Sequence, residues 1–248
     1  MKHLKFLAAL CCVAVMFAAC ETNRLDDGGP GAETEGSEQI GNYYAVDLGL
    51  PSGLKWATCN VGATKPEEYG NYYAWGETST KSHYTCSTYK WATVTQSGRL
   101  ETFTKYNTSS DYGTVDNKTT LELADDAARA NWGGAWRMPT YAEWMELEEN
   151  CTWTWTTLNG KNGYKVKGAN GNSIFLPAAG HRDYDVLVNA GGDYYYGQGY
   201  YWSSSLYTDN PHYVWYVDFC PNDVGWSPDY GYDTDRCRGL PVRPVLGE

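Results

Sequence analysis

The chain has 248 residues, a formal net charge of −11, and 22 Tyr and 11 Trp as its compositional outliers. A surface that negative repels phosphate backbones and anionic headgroups, so nucleic acid is set aside as a partner. Apolar mass carried this heavily by aromatic rings suits a loop-rich β fold with flat, sugar-compatible surfaces.

The opening segment sets the expected compartment. Lys2 and Lys5 accompany an almost unbroken apolar run from Leu4 to Ala19. That run is shorter than the roughly 20 apolar residues needed to span a bilayer. Phe17-Ala18-Ala19-Cys20 closes it with small residues, the layout of a secretory signal over residues 1–19. Ending on a cysteine, the segment resembles a lipobox. That implies lipidation of Cys20, a partner membrane held through the lipid anchor, and an outer-membrane address, facing the cell surface. Losing Lys2 and Lys5 with the signal takes the charge from −11 to −13.

Residues 20–41 read as an acidic tether. Leu25 and Ile40 are the only large aliphatics between Glu21 and Gly41, too few to bury a core. Asp26-Asp27 resembles the signals that send some lipoproteins to the outer face of the outer membrane. Five of the 8 cysteines lie beyond Cys20, namely Cys59, Cys86, Cys151, Cys220 and Cys237. An exported location permits disulfides, and an odd count leaves at least one thiol outside them. Cys59 with Cys151 is the expected bridge. No C-x-x-C or His-paired zinc spacing occurs, so neither a metal nor another cofactor is expected.

From Asn42 to the end, residues 42–248 read as one folded domain. Tyr43 to Leu48 and Leu54 to Cys59 predict short strands around the Pro51-Ser52-Gly53 turn, and Tyr72 to Trp75 a third apolar piece. Thr78 to Thr119 is polar and weakly periodic and reads as a long loop-like insertion. Leu121, Ala124, Ala128 and Trp132 predict one face of a helix, with Glu122, Asp125, Asp126 and Arg129 on the other and Gly133-Gly134 as its stop. Thr140 with Glu143 matches a capping box, predicting a second helix through Trp144 and Leu147 to about Asn150.

Trp153 and Trp155 alternate with threonines. Asn159-Gly160 and Asn162-Gly163 read as turns. Tyr164 to Lys167 and Ser173 to Leu176 should pair through Asn170-Gly171. Tyr200 to Ser204, His212 to Phe219 and Leu240 to Val245 are further strands. Strands, two helices, then more strands is an α+β order with short antiparallel strands and long loops.

Several motifs in order carry a resemblance. They are Val46-Asp47-Leu48-Gly49-Leu50-Pro51-Ser52-Gly53-Leu54-Lys55-Trp56-Ala57, Tyr73-Ala74-Trp75-Gly76-Glu77, Trp136-Arg137-Met138-Pro139-Thr140 with Glu143-Trp144, Phe175-Leu176-Pro177-Ala178-Ala179-Gly180, Tyr201-Trp202-Ser203-Ser204 and Val242-Arg243-Pro244-Val245. Together they resemble the Fibrobacter succinogenes major paralogous domain family over most of Tyr43 to Leu246. The resemblance implies a C-type-lectin-like fold, shared with the sulfatase-modifying, formylglycine-generating proteins. Those enzymes need a copper-binding cysteine pair, and the mature cysteines offer no close-spaced equivalent. Calcium-dependent lectins use Glu-Pro-Asn or Gln-Pro-Asp with Trp-Asn-Asp. Asp209-Asn210-Pro211 and Pro221-Asn222-Asp223 match neither.

Catalysis has little sequence support. Ser203-Ser204-Ser205 lacks a Gly-x-Ser-x-Gly elbow, His181 and His212 notwithstanding. No carboxylate pair stands out for glycoside hydrolysis. Trp136 to Thr140 reads as structural, with Arg137 pairing Glu143 or a carbonyl cluster and Trp144 in the core. The expected function is therefore a non-enzymatic binding module for a glycan or protein ligand.

The candidate site lies in the C-terminal third. Alternation in His212 to Phe219 turns Val217 and Phe219 inward and leaves Tyr216 and Asp218 exposed. The stretch from Cys220 to Arg238 mixes aromatic anchors with adaptable hydrogen bonders. The candidate ligand-binding residues are Tyr216, Asp218, Asn222, Asp223, Trp226, Asp229, Tyr230 and Tyr232. Tyr194-Tyr195-Tyr196 with Tyr200-Tyr201 forms a second aromatic cluster. Other readings stay open. They are a solvated segment that binds nothing, a relative of the formylglycine-generating oxidases, a structural surface component, and a receptor whose C-terminal region is varied by a diversity-generating retroelement.

Overall fold

The computed structural model describes residues 33–191, 198–221, 223–227 and 235–247. The expected signal segment, Cys20 and the first part of the tether lie outside the described residues, as do Tyr194, Tyr195 and Tyr196. The folded part begins earlier than Asn42, because β1 (Ser37–Ile40) lies along β2 (Tyr43–Asp47) with Ile40 opposite Tyr43. The stretch read as tether therefore ends in an edge strand.

β3 (Lys55–Ala57) continues this sheet, and Trp56 on it is fully buried. β4 (Tyr72–Tyr73) stands apart. The polar stretch after it is more than a loop. It forms a hairpin of β5 (Ala92–Val94) and β6 (Leu100–Phe103) and buries Tyr84, Tyr89, Phe103 and Tyr106. Aromatic residues scattered without period supply this satellite core, so hydrophobic periodicity cannot reveal it.

The first helix is shorter than its spacing predicts. α1 covers only Ala127–Trp132, after a 3-10 turn at Leu123–Asp125. Asp126 sets the start. Its carboxylate accepts from the Arg129 N–H at 3.0 Å and the Met138 N–H at 2.7 Å. Asp125 and Asp126, expected on the solvent face, are both buried. Gly133 ends the helix as expected.

β7 (Trp136–Arg137) leads into α2 (Tyr141–Asn150), whose capping box forms as read, with Thr140 and Glu143 bonded in both directions. Arg137 adds a bidentate pair to Glu143 at 2.8 and 2.6 Å. Trp144 on α2 is fully buried and tilts against Trp56 at 4.6 Å.

β8 (Cys151–Leu158), β9 (Lys161–Gly168) and β10 (Ser173–Pro177) form an antiparallel meander through Asn159-Gly160 and Asn170-Gly171. Asn162-Gly163 is not a turn but part of β9, opposite Thr156 and Thr157. A Cβ on Gly163 would stand 2.2 Å from the Leu176 carbonyl, so glycine serves close strand approach here. β11 (His181–Asp183) and β12 (Val186–Val188) make a small hairpin. β13 (Gly199–Leu206), β14 (Val214–Cys220) and β15 (Asp223–Ser227) form a three-stranded sheet.

β16 (Leu240–Pro241) pairs with β4. β17 (Val245–Leu246) inserts between β3 and β7, so the two ends of the folded region meet in one sheet of order β1-β2-β3-β17-β7. The architecture is mostly antiparallel strands with two α-helices among the described residues. That agrees with the α+β expectation.

Two large buried clusters flank β14. One gathers Trp56, Trp144, Val166, Leu176, Val217 and Phe219, and the other Tyr73, Trp75, Trp202, Val214, Tyr216 and Val242. Among the described residues, no helix is long and apolar enough to cross a membrane.

Candidate functional site

The site sits where β13, β14 and β15 meet β11 and the chain around Arg238. Hairpin register places Tyr200 opposite Asp218 and Cys220 opposite Asp223. Gly199 makes this packing feasible. A Cβ there would lie 2.1 Å from the Phe219 ring, so only glycine lets that ring close under the strand. Above it opens a cleft of about 520 Å³, lined by His181, Asn189, Gln198, Tyr200, Asp218 and Asp223 together with Tyr216 and Arg238.

Its polar wall is held by an amide relay. Asn189 Nδ2 donates to Gln198 Oε1 at 2.8 Å, and the Tyr200 hydroxyl donates to the same oxygen. The Tyr200 ring stands edge-on to His181 at 4.8 Å and tilted to Tyr216 at 6.2 Å. Rings and amides converging in one recess form the kind of surface that takes a polar ligand with a few fixed hydrogen bonds.

Two groups in the wall have displaced pKa values. Burial, with the Arg238 charge adding to it, pushes His181 down to about 4, so its imidazole is neutral at pH 7. Burial also raises the Asp218 carboxyl, and the neighbouring Asp223 charge raises it further. The Asp218 carboxylate leans over β15, where a Cβ on Gly225 would stand 3.1 Å from its Oδ1.

The expected site residues divide into four groups. Asp218 and Asp223 both line the cleft. Tyr216 also lines it but is 6 % exposed, not the free ring that alternation gave. The reason is that β14 is buried on both faces, Val217 and Phe219 in one cluster and Val214 and Tyr216 in the other. For Trp226 the backbone lies on β15 opposite Val217. Asn222, Asp229, Tyr230 and Tyr232 lie outside the described residues. Sequence reading missed His181, Asn189, Gln198 and Arg238 as wall residues. No motif marks them. Register from the β13–β14 hairpin could have placed Tyr200 beside Asp218.

A second recess of about 630 Å³ opens beside the first, and Arg238 lines both. Its lining includes Tyr84, Arg99, Asp183, Tyr184, Cys86 and Cys237. Here the structure corrects the cysteine reading. Cys86 and Cys237 stand 3.3 Å apart, sulfur to sulfur, although 151 positions separate them. Cys59 is instead buried, its thiol donating to the Ala63 carbonyl at 3.4 Å, and Cys151 sits at the edge of the Trp56–Trp144 cluster. The view that the chain has no close cysteine pair held for spacing along the sequence and fails in space.

The Ser203–Ser205 run has structural partners. Ser203 Oγ donates to the Trp215 carbonyl at 2.6 Å, and Ser205 Oγ accepts from the Tyr141 N–H at 3.1 Å. Among the described residues no group of three or more His, Cys, Asp or Glu side chains is placed to hold a metal ion.

Comparison with known proteins finds no matching family model, no matching curated protein and no matching solved structure.

Proposed function

We propose that the chain is a non-enzymatic, lipid-anchored surface module with a C-type-lectin-like fold, of the Fibrobacter succinogenes major paralogous domain type, that binds a glycan in the β13–β15 cleft. The observation that carries this reading is the wall itself. Tyr200, Asn189, Gln198 and Asp218 bring an aromatic ring, amides and a carboxylate to one recess of about 520 Å³. Sugar hydroxyls need paired donors and acceptors, and sugar faces need flat rings. Asp218, Asp223 and the overall negative charge favour a neutral or amine-bearing sugar over a sulfated or uronic one.

A glycan array probed with the mature domain tests this. The expected result is retention on neutral or amino sugars and none on sulfated ones. Retention confined to host proteins stripped of glycans would replace the glycan with a protein ligand. Silence on both, with crosslinking on intact cells returning only self-contacts, would favour a structural surface component.

One observation favours a second reading, a relative of the formylglycine-generating oxidases. Cys86 and Cys237 are two soft thiols in contact, the ligand type that copper(I) selects. Copper titration combined with an oxidation assay on a cysteine peptide decides it. The binding-module reading expects neither stoichiometric copper nor turnover.

A further inference from the structure

We infer that Cys86 and Cys237 form a disulfide that staples the chain returning from the candidate ligand-binding segment to the insertion between β4 and α1. The inference rests on the export reading, because a reducing cytoplasm keeps such thiols apart. The geometry is already close to a bond. The sulfurs lie 3.3 Å apart, inside the contact distance of two thiols. Two thiolates on one tetrahedral metal, each at about 2.3 Å, would stand roughly 3.8 Å from one another. The observed spacing is tighter than a shared ion requires and lies on the way to covalent closure.

Both cysteines sit on short, well-held turns. Cys86 opens the 3-10 turn Cys86–Thr88, whose capping box joins Thr85 and Thr88. Cys237 closes the turn Asp235–Cys237 and is buried among Tyr72, Tyr84, Tyr89 and Phe103. Its neighbour Arg236 is fully buried and fixes the same turn from the other side. The guanidinium donates to the Tyr106 and Pro211 carbonyls at 3.1 and 2.8 Å and to the Lys105 carbonyl at 3.1 Å. The Phe103 ring lies 4.1 Å from its centre. Two anchored turns thus hold the two sulfurs in contact.

The placement gives the bond a purpose. Arg238, next to Cys237, lines both recesses. A link at Cys237 therefore fixes the chain beside Arg238, where the two recesses share a wall.

Closure is a balanced exchange with the disulfide form of a thiol–disulfide oxidoreductase. Cys86 is the more exposed sulfur and faces the larger recess, so its thiolate attacks the oxidoreductase disulfide and expels one sulfur as a thiol. The Cys237 thiolate then attacks the Cys86 sulfur of that mixed disulfide and expels the second. Two S–H bonds are lost here and one S–S bond forms. The oxidoreductase loses its S–S bond and takes up the two electrons and two protons.

The test is peptide mapping of the full exported chain, with free thiols trapped by N-ethylmaleimide under denaturing conditions. The expected result is one linked, unlabelled Cys86–Cys237 peptide pair in most molecules, with Cys59, Cys151 and Cys220 labelled. Labelling of both Cys86 and Cys237 in most molecules of the exported fraction overturns the inference, and copper retained by those labelled pairs would assign them to metal. If fractionation finds the chain in the cytoplasm, the export reading has failed by itself. Oxidised glutathione should then still close this pair selectively in the purified protein, and scrambled pairing there overturns the inference separately.

Thermal unfolding adds a second readout. Reductant should lower the Tm of the wild type by ~5–15 °C, the range expected for opening a long covalent loop in a chain this size. Cys86→Ser should abolish that redox difference, and Cys151→Ser should leave it intact. A redox difference that survives in Cys86→Ser contradicts the pairing.

Discussion

Arg243 and Arg236 are both sealed from solvent, yet they hold two differently built regions. Arg243 donates to Asn60 Oδ1 at 2.8 Å, to the Ala57 carbonyl at 3.0 Å and to the Phe175 carbonyl at 2.9 Å. It thereby ties the sheet of β1, β2, β3, β17 and β7 to the meander of β8, β9 and β10. Those elements come mostly from local hairpins and pack a continuous cluster of rings and aliphatics. Arg236 instead joins the insertion to the connection before β14 and the chain leading to β16. Both guanidiniums reach partners distant in sequence, but the Lys105, Tyr106 and Pro211 carbonyls that Arg236 holds all lie outside strands, whereas Ala57 and Phe175 are strand residues. The first region is a scaffold, and the second is a polar recess held by cross-links between distant segments.

The largest expected effects would break that comparison at its two pins. Arg243→Met and Arg236→Met each leave several buried oxygens without a donor. Each should lose ~3–5 kcal/mol in urea unfolding. A loss below about 1 kcal/mol at either position would mean that the guanidinium is not what holds its region. The two should differ in function, because only Arg236→Met disturbs the foot of the cleft and should weaken ligand binding at temperatures where both remain folded.

A pH titration sharpens the contrast. His181 is depressed to about 4 from an ordinary value near 6.5. In that window the unfolded chain binds a proton that the folded chain refuses, so stability rises with pH there. The contribution is fully present above about pH 6.5 and is lost as pH falls toward 4, on the order of 3 kcal/mol in all. Subtracting the curve of His181→Gln isolates it, and identical curves for the two proteins would contradict a buried neutral imidazole.

Smaller effects belong to the scaffold and to the cleft wall. Thr140→Ala removes the cap of α2 and should cost about 1 kcal/mol without touching ligand affinity. Asp218→Asn has the opposite sign. Its carboxyl is raised by burial, so its charge opposes folding at neutral pH, and the amide should raise Tm slightly while weakening binding. A Tm that falls instead would place the Asp218 carboxylate among the stabilising groups.

The same contrast explains what could be read from residues alone. Thr140 with Glu143, Asn159-Gly160 and Asn170-Gly171 act within a few positions, so local chemistry announces them. Arg137 with Glu143 is also close in sequence. Tyr216 misled because alternation assumes one wet face, whereas β14 has a cluster on each side. The helix before Gly133 read too long because the buried Asp126 carboxylate captures two backbone N–H groups and restarts the chain at Ala127. Cys86 with Cys237, and His181 with Tyr200, meet only through tertiary folding. Local pattern carries no trace of such pairs.

The most direct measurement is titration calorimetry of the mature domain with its best array glycan, comparing wild type with Tyr200→Ala, Asp218→Asn and Glu149→Gln. Glu149 is exposed on α2 and lines neither recess. A binding cleft at β13–β15 predicts at least about tenfold weaker affinity for the first two variants and no change for the third. Unchanged affinity in both cleft variants, with their folds intact, would contradict it.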